Sequence, residues 1–442
     1  MQRNVVRSPA AMASRLLLCL LFWGYCAIVS GINSGSKKHG FAVVPTSFAS
    51  EPACFADSSP AVASDPNRVS VPLTHRHGPC TPSGTSGQPP LAERLRRDRA
   101  RTSYIVSRVS GGRASTRLSD GGGVIRIPTY ADYVVMVGLG TPAVKQSLLM
   151  DNGCDLSWVQ CTPCNATSSC YPRKNPVFDP RKSSTYAPIP CDTDACRGLT
   201  DCFKDGCTNS TRPSLCRCGI EYSVSDGLYS METLTLNPGV SQGTFDKYDD
   251  NGFLLSGGPE SIVSQTAGLY GGAFSYCMPP GNGTAGFLTL GVPRNNTAGF
   301  VFAPLQNSTC YVVTLAGISV AGKPLSIPPA VLSGGMVIDS IMEITVLPPT
   351  AYTALRTAFR SAMSMYPLLP PNKDYVYDGD LDTCYNFTGF SNVTVPTVSL
   401  SFSGGATIDI DPSGVLLEGC LAFADGVRDG GRNHWHREPA HL

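Results

Sequence analysis

No apolar run in this 442-residue chain is long enough to anchor it stably in a bilayer. A helical span needs about 20 apolar residues. The strongly apolar stretch that opens at Leu16-Leu17-Leu18-Cys19-Leu20-Leu21-Phe22-Trp23 breaks at Gly24 and fades by Ser30-Gly31. The chain also lacks a glycine-rich phosphate loop and a basic nucleic-acid patch in its body. His434 and His436 form an i, i+2 pair without further ligands, a pattern of exposed tails rather than metal centres. No cofactor, no metal and no nucleic-acid partner are therefore expected.

What is present points to the secretory route. Arg3, Arg7 and Arg15 precede the short apolar run, the layout of a signal peptide over residues 1–30. Of the 18 cysteines, 14 lie between Cys154 and Cys420, a density that suits an oxidising compartment. Cys161-x-x-Cys164 has metal-ligand spacing, but the crowd of cysteines around it favours disulfides, whose connectivity the sequence leaves open. Seven Asn-x-Ser/Thr sequons begin at Asn165, Asn209, Asn282, Asn295, Asn307, Asn386 and Asn392 and are candidate glycosylation sites. The expected location is extracellular, with the vacuole as the alternative. The total charge of +1 hides an asymmetry: residues 1–30 carry +3, residues 31–127 carry +7 and the remainder −9. A basic leader before an acidic body suggests a pro-segment held partly by electrostatics, and residues 31–127 are assigned to it.

The leader is rich in Ser, Pro and Gly as far as about Pro90, and the basic stretch from Leu91 to Ala100 then has a helical pattern. From Ile127 onward come short Val/Leu/Phe runs punctuated by Gly, Pro, Asn and Asp, the texture of a mainly β protein. One further helix is expected from Pro348 to Met365, with Tyr352, Leu355, Phe359 and Met363 on one core-facing stripe. Leu148-Leu149-Met150-Asp151-Asn152-Gly153 and Met336-Val337-Ile338-Asp339-Ser340-Ile341 each end an apolar strand with an aspartate, one lobe's length apart. A single Asp after a strand is usually a turn residue. Two at lobe spacing suggest facing carboxylates that share one proton, because like charges about 3 Å apart cannot both ionise. One member can then take a proton from water while the other polarises a peptide carbonyl.

The segment Asp151-Asn152-Gly153-Cys154-Asp155-Leu156-Ser157-Trp158-Val159-Gln160-Cys161 resembles the first active-site segment of plant secreted, nepenthesin-like aspartic proteases. Tyr133 to Pro142, Gly271 to Cys277, Val346 to Tyr352 and the leader motif Leu73-Thr74-His75-Arg76-His77-Gly78-Pro79-Cys80 are similar to the same family. The resemblance implies a bilobal, mainly β pepsin-like fold, with an N-terminal lobe over 128–300 carrying a Cys-rich insertion and a C-terminal lobe over 301–442. It implies an acid-acting aspartic endopeptidase with Asp151 and Asp339 as catalytic pair, Asn152, Gly153 and Ser340 supporting them, and Tyr222 on a substrate-covering flap. Peptide or protein substrates and the chain's own propeptide are the implied partners, and a monomer is expected.

The chain also departs from the family pattern. Asn152 stands where the family has threonine, and its amide can still donate and accept. Ile341 and Met342 replace Gly and Thr after Asp339, so a strained, poorly supported second aspartate is expected. The flap is altered after Tyr222, and from about residue 428 the sequence is unrelated polar tail, which gives a second lobe expected to be truncated. These departures keep a second reading open, a non-catalytic pepsin-fold binding or inhibitor-like protein.

Overall fold

In the computed structural model the described residues are 25–30, 40–45, 67–76, 89–109, 133–153, 157–163, 176–199, 214–220, 225–236, 252–255, 257–278, 286–291, 301–306, 310–370, 381–426, 428–429 and 432–433. Alternating and fully apolar strands dominate, as the short Val/Leu/Phe runs require. The first lobe is built on a nine-stranded sheet. Strands β1 (Tyr25–Ser30) and β2 (Gly40–Pro45) lie at one side, beside the strand Phe274–Cys277. The strand Gly286–Leu290 follows, and then β3 (Val69–His75), β4 (Tyr133–Leu139) and β5 (Val144–Asp151). Beyond β5, Gly252–Leu254 runs parallel to it with Leu254 opposite Asp151. Tyr25–Ser30 falls at the end of the stretch expected to be a signal peptide.

Strand β3 belongs to the stretch assigned to the leader, yet it occupies the interior of this sheet. It is antiparallel to Gly286–Leu290 on one edge and to β4 on the other, with Leu73 opposite Val135. Val71 and Leu73 point into the core, and Leu73 is 0% exposed.

The second lobe carries a four-stranded antiparallel sheet in the order Lys323–Pro324, Leu315–Val320, Val398–Phe402, Thr407–Ile410. The expected helix forms over Pro349–Ala362, with Pro at its start where no backbone donor is needed. Tyr352, Leu355, Phe359 and, just past its end, Met363 are all buried, as the stripe required. Tyr352 donates to Asp382 Oδ1 at 2.6 Å and so fixes this helix to the following loop. One continuous apolar core runs through both lobes, joining Leu73, Met150, Phe274, Tyr311, Ile338 and Phe359.

Cys196 pairs with Cys216 and Cys384 with Cys420, and Cys191 and Cys277 are also disulfide-bonded. Among the described residues no helix is long and apolar enough to cross a membrane.

Because β3 is laddered on both edges, Leu73→Ala should lower the stability of the intact chain by about 2–5 kcal/mol. Urea unfolding followed by Trp fluorescence measures this. A loss below about 0.5 kcal/mol, the range of ordinary surface changes, would show that β3 lies outside the cooperative core.

Candidate active site

Each aspartate ends an apolar segment, and each is held by its own downstream backbone. Asp151 Oδ1 accepts from the Gly153 N–H at 2.7 Å. Asp339 Oδ1 accepts from Ile341 N–H at 2.9 Å and Met342 N–H at 3.1 Å. The loops are also tied to each other. Asn152 Oδ1 accepts from Ser340 N–H at 2.9 Å, and Asn152 Nδ2 donates to the Ile338 carbonyl at 3.1 Å. Ser340 Oγ in turn accepts from Asn152 N–H at 3.2 Å. Asn152 and Ser340 are both buried, so every one of these groups would otherwise be a stranded polar atom.

The strain expected at Ile341 is absent. Its φ is not positive, the positive-φ non-glycine residues among those described being Ala321 and Glu418. The side chain instead packs on Val134 and Leu149 of the first lobe, beside Met136. Gly153 is the position where a side chain will not fit: a Cβ there would sit 2.3 Å from an Arg101 nitrogen and 3.1 Å from Asp339 Oδ2.

The pair is covered. Helix α1 (Leu91–Val109) is the basic helix of the stretch expected to be a pro-segment, and its Arg101 lies between the two carboxylates. Arg101 Nη2 donates to Asp151 Oδ1 at 2.6 Å and to Asp339 Oδ2 at 2.7 Å. Nη1 adds a bond to Asp151 Oδ2 and Nε one to Asp339 Oδ2, each 3.1 Å. All three side chains are nearly closed to solvent, at 6%, 3% and 5% exposed. That one nitrogen reaches both carboxylates sets them face to face.

The rest of α1 follows the cleft along the second lobe. Asp98 Oδ2 accepts from the backbone N–H groups of Glu343 at 2.7 Å and Ile344 at 2.9 Å. Arg94 pairs with Glu343 and Glu418. Leu91 and Leu95 rest on Ile344, Leu381, Cys420, Ala422 and Ala424. Burial pushes the Asp98 carboxyl well above the ordinary carboxylate value, and the charges of Glu343 and Asp339 add to the push, against the two backbone bonds.

Sequence reading brought out Asp151, Asp339, Asn152, Gly153 and Ser340, and the structure gathers all five. It did not single out Arg94, Asp98, Arg101, Glu343 or Glu418. The available signal was the face that Leu91, Arg94, Leu95, Asp98, Arg101, Thr102 and Ile105 share on one helix, apolar and charged residues mixed in a single buried stripe. Tyr222 lies outside the described residues, in the connection between the paired strands Arg217–Ile220 and Ser225–Leu228. Of the sequons, Asn386 and Asn392 are exposed, while Asn165, Asn209, Asn282, Asn295 and Asn307 lie outside the described residues.

Two predictions follow from the geometry. Asn152→Ala strands the Ser340 N–H and the Ile338 carbonyl and should destabilise the chain by about 1–3 kcal/mol per group, with Asn152→Thr milder because one donor–acceptor group remains; urea midpoints decide. For Asp98, docking in charged form is penalised above the undocked value near 3.8, and the penalty grows until pH passes the raised docked value. Asp98→Asn keeps an acceptor for the two N–H groups without that penalty. It should raise Tm at pH 7 and leave it unchanged at about pH 3, measured by scanning calorimetry; equal Tm shifts at both pH values would refute this sign.

The chain is similar to known proteins of one family and fold. Residues 133–292 match the family model described as Xylanase inhibitor N-terminal, and residues 310–436 the one described as Xylanase inhibitor C-terminal. An aspartyl protease family protein of Arabidopsis thaliana is 36% identical over 395 residues, 82% of this chain and 81% of that protein. Aspartyl protease AED1 of the same plant is 31% identical over 95% of this chain and 92% of its own. Aspartic proteinase nepenthesin-2 of Nepenthes gracilis is 32% identical over 68% of this chain and 72% of its own. Among solved structures, conglutin gamma from lupine seeds (TM-score 0.51, 17% identity, 82% of this chain and 87% of that one) and soybean basic 7S globulin (TM-score 0.50, 15% identity, 82% and 86%) share the fold. With this fold and these relatives, the chain belongs to the plant atypical, pepsin-like aspartic protease family.

Proposed function

We propose that the chain is the precursor of an aspartic endopeptidase in which Asp151 and Asp339 activate water against a peptide bond, and that helix α1 keeps it inactive until displaced. The carrying observation is that both carboxylates are oriented by backbone N–H groups and meet at a single guanidinium nitrogen. With Arg101 withdrawn, the facing carboxylates can share one proton. The ionised member takes a proton from water as that water adds to the peptide carbonyl. The protonated member donates to the carbonyl oxygen, and the C–N bond then breaks with the amine leaving protonated. Secretion through the signal-peptide route, glycosylation at the exposed Asn386 and Asn392, and action on extended peptides complete the reading.

A second reading, a non-catalytic binding or inhibitor-like protein, draws on the xylanase-inhibitor descriptions of the matching family models. The two separate in one assay. Acid-treated protein should cleave an unfolded protein substrate at about pH 3–5, and Asp151→Asn should lower the rate by about 10²–10⁴-fold. Arg101→Gln in the uncut chain should raise its activity over that of the uncut parent. Cleavage no faster than the Asp151→Asn background in every form would leave the non-catalytic reading standing.

A further inference from the structure

The cleft beside the aspartates is occupied by charged groups of α1 whose partners belong to the second lobe, and those partners remain when the helix goes. Arg94 is one of them. Its Nη1 bonds Glu343 and its Nη2 bonds Glu418, while its side chain is 6% exposed. Its Nε, also buried, has no acceptor among the described residues. The head group is thus bonded at two of its three nitrogens, and the third leaves a hydrogen-bond donor unused.

The residues that carry these carboxylates belong to the second lobe, with side chains 19% exposed at Glu343 and 51% at Glu418. Glu343 follows the second aspartate by four residues, in the segment whose backbone N–H groups at 343 and 344 face the cleft and bond Asp98. Glu418 sits at the turn between Leu416–Leu417 and Cys420–Leu421 with φ of 48°, followed by Gly419 at 83°. This left-handed conformation is unfavourable for a glutamate, and the Cys384–Cys420 disulfide fastens the same turn to the lobe. Below the carboxylates lies an apolar floor of Ile344, Leu381, Ala422 and Ala424 that takes Leu91 and Leu95.

Arg94 and Arg101 are seven residues apart on one helix, about 10 Å along its axis. An extended peptide covers that distance in about three residues. Between the two points, the N–H groups of Glu343 and Ile344 offer an extended backbone the donors that Asp98 now uses. We infer that Glu343 and Glu418 form an acidic subsite that takes an arginine or lysine side chain of an extended peptide three residues from the bond placed at Asp151 and Asp339. The inference rests on the proposed hydrolytic reading for the position of that bond, but the subsite itself is a binding site and is testable as one. Arg94 is then a resident mimic of the side chain that the cleft selects.

The test uses the full chain with inserted exogenous-protease sites in 77–88 and 110–132, so that α1 is excised and washed out at high salt while β3 stays in its sheet. Fluorescent reduced-amide peptides carrying arginine, or glutamine, at the third residue on either side of the central bond are titrated by polarisation at low salt. The arginine peptide of one series should bind about tenfold or more tightly than its glutamine counterpart, and Glu343→Gln with Glu418→Gln together should cancel the difference. Equal affinities, a preference that survives the double substitution, or no binding of any peptide would overturn the subsite. If arginine is preferred but the corresponding amide substrates are not hydrolysed, the subsite stands and the hydrolytic reading falls.

Discussion

Two carboxylates that face each other inside a protein repel strongly, and the chain must supply either a shared proton or a positive charge to hold them there. In this structure the charge is Arg101. Its planar fork reaches both Asp151 and Asp339, and four donor–acceptor contacts satisfy the guanidinium and the carboxylates in a site nearly closed to water. Such a buried arrangement is not a free gain, because desolvation opposes the Coulomb attraction. Its consequence is conditional geometry. With Arg101 removed, the same two loops must be able to keep the carboxylates opposed without it.

That ability comes from the backbone and from Asn152. Each carboxylate is gripped from its own loop, and the Asn152–Ser340 exchange of bonds locks one loop to the other, independently of α1. Asn152 uses both ends of its amide, and so couples the two lobes at the point where their aspartates meet. Ile341 adds apolar contact with Val134 and Leu149 across the same boundary. The architecture therefore separates two tasks, placing the aspartates and neutralising them, and assigns them to different segments of the chain.

The placing task was legible in the sequence and the neutralising task was not. Strand-then-aspartate patterns at lobe spacing marked Asp151 and Asp339, and the amide of Asn152 was readable as a group that can donate and accept, though not to which partners. The helix Pro349–Ala362 showed its stripe of Tyr352, Leu355 and Phe359 because helical period is a local property. Ile341 misled because the expectation of strain assumed a backbone conformation that only glycine tolerates, whereas its φ is not positive and β4 and β5 offer its side chain an apolar surface. Arg101 finds partners 50 and 238 residues away, and no local pattern carries such a contact. Glu418 is recognisable as unusual only through its backbone angle.

Asp98 docks best when neutral, so proton uptake favours that point of α1. Release of the helix is then not a simple consequence of lowering pH, and the strand that precedes it adds a further constraint. β3 is hydrogen-bonded along both edges in the interior of the first-lobe sheet, and Leu73 lies in the common core. A cut in the connection between α1 and β4 breaks the covalent link but leaves these two ladders intact. Uncovering the aspartates requires only that α1 swing away, while removing the leader as a whole would expose the edges of β4 and Gly286–Leu290 and part of the core. In the proposed precursor, opening of the site and loss of residues 31–127 are therefore separate events, the first opposed by ion pairs in the cleft and the second by the packing of a central strand.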